Sequence, residues 1–225
     1  SDPDKAVGAP AGALQISPVH ADQVMGVEVT LDLIVGPGLS IFDPLQANPW
    51  INELHYENAG PDQDEGFEIA GPAGTLLTGW TVMLYNGRDG RAYAEVALEG
   101  RIDDEGLGYG AVWFPVGSLQ NGGADGLALV DPLGQVVEFL SYEGRVQAFD
   151  GPAVKQISTD IGVSEDDQAP AGSSLQRIGT GTEADDFRWS PAAASPGALN
   201  PNQVIFRSIR LPALIQFSHN FDLWF

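Results

Sequence analysis

Apolar residues in this chain recur at every second position, and the clearest case comes early. From Val24 to Val35, Val27, Val29, Leu31 and Leu33 alternate with Glu28, Thr30 and Asp32. A period of two puts successive side chains on opposite faces, so the segment predicts a half-buried strand. Gly36-Pro37-Gly38 ends it, and Leu39–Phe42 reads as a short return strand. The same reading predicts strands at Trp50–Tyr56, Phe67–Ala70, Leu77–Tyr85, Ala92–Leu98, Ala111–Val116, Gly126–Val130, Gln135–Tyr142 and Ser174–Ile178. Turn-forming pairs separate them: Asn86-Gly87, Asp89-Gly90, Asn121-Gly122-Gly123 and the hairpin signal Asp131-Pro132-Leu133-Gly134. No window carries a helical period. Short strands at this spacing predict an all-β fold, a sandwich or a barrel. Gly151–Gly172 and Thr182–Pro201 read as irregular, with Glu165-Asp166-Asp167 in an exposed loop.

Composition narrows this picture. The 225 residues include 28 Gly, 16 Pro and no Cys, which disfavours a helical bundle and excludes disulfides, Cys-ligated zinc and thiol catalysis. A hydrophobic share of 43% is too high for a disordered acidic chain. The net charge of −21 is unevenly spread. Residues 1–48 hold six acids and one base, residues 49–203 hold 24 acids and seven bases, and residues 204–225 hold Asp222 against Arg207 and Arg210. Three parts follow: an N-terminal segment of one or two strands (1–48), a β-sandwich (49–203) and an apolar C-terminal tail (204–225). A surface this negative repels phosphate backbones and anionic headgroups, which argues against nucleic acid as a partner. No stretch approaches 18 consecutive apolar residues, so no membrane span is expected, and Ser1-Asp2-Pro3-Asp4 lacks the basic and apolar regions of a signal peptide.

Several stretches of residues 49–203 go further. Ile51-Asn52-Glu53-Leu54-His55-Tyr56, Glu65-Gly66-Phe67-Glu68-Ile69, Leu77-Thr78-Gly79-Trp80-Thr81-Val82, Asn121–Asp131 with Val136–Tyr142, Ser174-Leu175-Gln176-Arg177, Trp189 and Ser195-Pro196-Gly197-Ala198-Leu199-Asn200 come in a fixed order. In wording and order they resemble the lamin-tail domain in its bacterial secreted form, as attached to extracellular nucleases and related hydrolases. The resemblance implies an immunoglobulin-like β-sandwich, an extracellular setting, and a non-catalytic module whose relatives keep their chemistry in a neighbouring domain. The residues agree with a sandwich: Trp80 and Leu84 fall in one aromatic strand, where the large core side chains are expected.

Candidate chemistry is sparse. His20, His55 and His219 are the only histidines, and no G-x-S-x-G occurs, so no nucleophile, base and acid assemble from the sequence. Gly106-Leu107-Gly108-Tyr109-Gly110 reads as a turn because it precedes a strand and lacks Lys. Asp62, Asp64 and Glu68 surround a Gly turn as alternate oxygen donors, the pattern Ca²⁺ uses, with a solvated acidic loop as the plain reading. Asp103-Asp104-Glu105 reads as an exposed turn. Trp113 is a candidate for stacking on polysaccharide, though Trp113-Phe114 between Val112 and Val116 reads as core; Arg88 and Arg91 are the one basic cluster for DNA.

The tail, with 13 apolar residues among 22, is the strongest interaction signal. Phe217, Phe221, Leu223, Trp224 and Phe225 left in water would form an apolar patch of the kind that marks an interface. The tail then packs on its own sandwich, adds to the sheet of another subunit, or is non-native sequence. Val27, Val29, Leu31 and Leu33 allow the same argument. The expected partner is protein, including a second copy of this chain, in adhesion or self-assembly. The alternatives are an accessory module of an extracellular nuclease or phosphatase, and a polysaccharide- or DNA-binding module.

Overall fold

A computed structural model describes residues 48–205 except Ser118. The predicted strands at 24–35 and 39–42, the candidate interface residues Val27, Val29, Leu31, Leu33, Phe217, Phe221, Leu223, Trp224 and Phe225, and His20 and His219 lie outside the described residues. The described residues fall in one compact unit.

Among the described residues eleven strands are formed: β1 Trp50–His55, β2 Gly66–Pro72, β3 Thr81–Asn86, β4 Arg91–Ala97, β5 Tyr109–Pro115, β6 Asp125–Val130, β7 Val136–Tyr142, β8 Thr159–Asp160, β9 Ser173–Gly181, β10 Phe187–Ala193 and β11 Gln203–Ile205. One sheet has the order β10-β9-β1-β2-β5, with β11 running parallel to the end of β9; the other has the order β4-β3-β6-β7-β8. All other pairs are antiparallel except β7 with β8. The two sheets pack face to face as an immunoglobulin-like sandwich, all-β as the alternation predicts.

The main core lies between the sheets. It joins Ile51, Leu54, Phe67, Ile69 and Leu175 of the first sheet to Val82, Leu84, Leu127, Leu129 and Leu140 of the second. Trp80 and Leu84 both belong to it. Trp80, however, sits in the turn before β3 and not in mid-strand: its N–H donates to Leu77 O at 3.0 Å, around Gly79 at φ 90°. A left-handed glycine turns the chain there, and β3 starts one residue later.

Every residue of β1, β2 and β6 is buried, so these strands are covered on both faces. A second cluster of Tyr85, Ala128, Val130, Phe139, Val146, Ala148 and Ala153 covers the outer face of the β3–β7 region. A third, with Trp50, Ala70, Ala111, Phe187 and Ile205, packs over β1 and β2.

The region expected to be irregular between 182 and 201 contains β10, paired with β9 over seven residues from Phe187↔Gly179 to Ala193↔Ser173. Its Pro and two Ala hide it from a propensity reading, and Pro is at home on an edge strand, where a missing N–H breaks no ladder. The sandwich also runs past 203, since Val204 and Ile205 pair with Thr180 and Gly181.

Candidate functional site

β1 carries a bulge between Ile51 and Glu53, so Asn52 is an extra residue against β2. The Ile51 backbone at this bulge is held by an ion pair that spans the two sheets. Its N–H donates to Glu138 Oε2 of β7 at 2.9 Å, and its carbonyl accepts from Arg177 Nε of β9 at 2.8 Å. Arg177 also bonds Glu138 through Nη2, and its guanidinium lies 5.1 Å from the Trp189 ring centroid. Burial pushes the Glu138 carboxyl up from its ordinary value, against the pull of Arg177.

On the outer face of the first sheet, carboxylates hold the strap from Ser195 to Asn200. The N–H groups of Ser195, Gly197 and Leu199 donate to Glu53, Glu68 and Glu105 at 3.0, 2.7 and 2.8 Å. The strap turns at Pro196-Gly197, with Gly197 at φ 81° and Ala198 N–H on Ser195 O at 3.1 Å, and three acids on three elements grip it on either side of the turn. Asn200 then donates to Asn52 O and Arg177 O, and Gln203 to Asn52 Oδ1 at 2.8 Å.

This arrangement decides the position of the calcium candidates. Glu68 is fully buried in β2, its oxygens taken by Asn52 Nδ2 at 2.9 Å and by Gly197 N, and burial pushes its carboxyl up to about 8. Asp62 and Asp64 are exposed in the β1–β2 loop, where Asp62 Oδ2 accepts from Asn121 at 3.3 Å. The fold does not bring the three together, and among the described residues no three His, Asp or Glu side chains form a metal-ligating group. Alternation is the reason: after the Gly66 turn the chain enters a buried strand, and Glu68 faces the strap. Asp62, Gln63, Asp64 and Glu65 instead line a cleft of about 240 Å³ with Pro115, Val116 and Gly117.

That end of the sandwich is organised around His55, which is only 4% exposed. Nδ1 lies 2.9 Å from Glu165 Oε1, and Nε2 lies 3.0 Å from the carbonyl oxygen of Gln63. A carbonyl only accepts, so Nε2 carries a proton. Glu165 Oε2 accepts from the N–H groups of Tyr56 and Glu57 at 2.8 and 3.2 Å, which leaves Oε1 to pair with Nδ1. The hydrogen bond with Glu165 raises the His55 pKa above the ordinary value, which favours the cation of a buried pair. Tyr56 stacks on Tyr142 at 3.9 Å, donates to Glu143 at 3.0 Å and accepts from Glu165 N at 2.8 Å. Glu165 was expected in an exposed acidic run. It is buried, and it ties the 161–172 loop and, through His55, the 57–66 loop to the end of β1. Only Asp166 and Asp167 of that run are exposed.

Other sequence candidates settle as follows. Asp104 caps the turn at Gly106 and Gly108, and Glu105 accepts from Ala111 N at 2.7 Å. Trp113 is half-buried on β5, and Phe114 packs on the main core. Arg91 pairs with Asp150 at 3.4 Å on the surface.

The sheet edges differ in how they are closed. β8 has two residues, and β10 carries Pro191. On β5, Tyr109 N donates to Gly106 O and Ala111 N to Glu105, and the strand ends at Pro115. These are ways to stop one sheet from adding another strand. β4 is different. Its seven residues, RAYAEVA, contain no Pro, and Asp150 caps it at Ala92 alone, at 2.7 Å. Leu98 N donates to Trp80 O, which fixes the phase of the ladder: Val96 and Ala94 bond β3, and the backbone groups of Glu95 and Ala97 face away from the sheet. Among the described residues, none bonds them. Beside its start lies exposed apolar surface: Phe149 is 62% exposed, and its N–H donates to Gly90 O at 2.8 Å. A Cβ on Gly90, at φ 68°, would lie 2.1 Å from Gln147 O, so only glycine lets this flap sit against the β3–β4 turn.

No protein-family model matches this chain, and no curated protein and no solved structure matches it.

Proposed function

We propose that the chain is a non-catalytic interaction module that self-assembles by strand addition, and that β4 is its acceptor edge. The observation that carries this reading is the contrast among the edges. β8 has two residues, β10 carries Pro191, and β5 is bonded at Tyr109 and Ala111 and closed by Pro115, which leaves Trp113 alone facing outward between them; β4 presents the outward backbone groups of Glu95 and Ala97 in succession, with no cap among the described residues. An edge of this kind is a template for another strand. Glu53, Glu68, Glu105 and Glu165 are engaged in holding the strap and loops. The resemblance to bacterial secreted lamin-tail modules supports an extracellular setting for such a module.

The test is sedimentation of the full chain across a wide concentration range, with Glu95→Pro as the edge-blocked variant. The Glu95 N–H is outside the β3 ladder, so Pro removes only the outward donor, and circular dichroism checks that the fold is kept. The expected result is association that grows with concentration and weakens at least about tenfold in the variant, roughly 1.4 kcal/mol. A chain that stays monomeric, or one whose association ignores the substitution, overturns the reading.

A further inference from the structure

We infer that the strand received by β4 is the Ala213–Ser218 stretch of a second copy, so that the molecules join tail to edge; this rests on the assembly reading above. The choice of donor starts from charge. Residues 204–225 are the one part of the chain with a positive balance, Arg207 and Arg210 against Asp222, whereas residues 1–48 hold six acids and one base. The acceptor surface carries exposed Glu95, with Glu99 just beyond the end of β4. The tail is attracted to this edge and the N-terminal segment is repelled.

Pattern selects the stretch. Pro212 interrupts the tail, and after it Ala213, Ile215 and Phe217 alternate with Leu214, Gln216 and Ser218. A six-residue strand without Pro or Gly suits an edge of seven residues. Its apolar set meets a matching need: Ala94 and Val96 are only half-buried where they pack at the margin of the main core. A strand laid beside β4 carries Ile215 and Phe217 over that margin and removes apolar surface from water on both molecules.

Pairing of β4 with itself is the competing geometry. An antiparallel pair of β4 strands across a two-fold axis brings Glu95 of one copy close to Glu95 of the other near the middle of the strand, and like charges facing across a pair destabilise it. Tail and edge are different surfaces. Their contact is therefore heterologous: each molecule keeps a free edge and a free tail, and growth continues into chains or closes into rings.

Complementary mixing tests this. Removing residues 206–225 leaves a protein with an edge and no tail; Glu95→Pro leaves a tail and no edge. Each alone is expected to be monomeric. Mixed in equal amounts they should form a dimer and nothing larger, because the pair has one working contact. Ile215→Asp in the full chain should weaken assembly at least about tenfold, which separates strand docking from a general loss of the tail. If the truncated protein assembles like the full chain and still responds to Glu95→Pro, the tail assignment fails and the edge reading stands. A full chain that is monomeric until residues 206–225 are removed shows the tail on its own edge, and overturns the exchange between copies. No dimer in the mixture overturns it as well.

Discussion

His55 shows how one residue can hold several loops. Its two ring nitrogens are held by the Gln63 carbonyl on one side and Glu165 on the other, so replacing it leaves Glu165 buried with less compensation. His55→Gln is expected to cost about 3 kcal/mol in urea unfolding, in the range for breaking a buried ion pair. The sign of its pH dependence follows from the raised pKa. The contribution is complete below the unfolded-state value and is lost as pH rises through the folded one, so the variant should differ most from the parent in mild acid. A variant with an unchanged pH profile would disprove the charged pair. The sequence offered His55 only as a strand residue beside Tyr56. Its partner lies 110 positions away in a run that reads as solvated acids, and no local pattern distinguishes Glu165 from Asp166 or Asp167.

At the scale of the elements, the sequence pattern gave eight of the eleven strands among the described residues and missed β8, β10 and β11, where tertiary pairing outweighs local preference. β10 is held by its seven-residue register on β9 despite Pro191, and β8 is two residues recruited by β7. The strap is the sharper case. Its Ser-Pro-Gly turn was legible, but its anchorage was not, because Glu53, Glu68 and Glu105 come from three separate elements. Asn200 closes it with two bonds to buried carbonyls. Asn200→Ala should cost about 2–3 kcal/mol, since both carbonyls lose their donor and remain buried. Thermal unfolding measures the loss, and hydrogen exchange should show it concentrated in β11 and the strap. A loss spread evenly over both sheets would mean that the strap is not a separate latch.

Across the whole molecule the charge and the buried groups act in one direction. Glu68, pushed up to about 8, Glu138 and His55 all bind protons more tightly folded than unfolded, so each favours the folded state as pH falls toward the unfolded value of its group. Repulsion within a chain of net charge −21 also eases on acidification and with salt. The melting temperature should therefore rise as pH falls from about 8 to about 5.5, and salt should raise it most at the upper end; a melting temperature that falls over this interval would refute the charge states assigned to these groups. The sequence by itself determined the strand alternation, the turns, the all-β class and the division of charge between an acidic body and a slightly basic tail, because each depends on residues near one another along the chain. Only the tertiary structure decided which acids are buried, which calcium candidates are held apart, and which edge is left open. Those outcomes depend on what lies across the sheet, tens of positions away, where burial and pairing decide whether a carboxylate faces water or a backbone N–H.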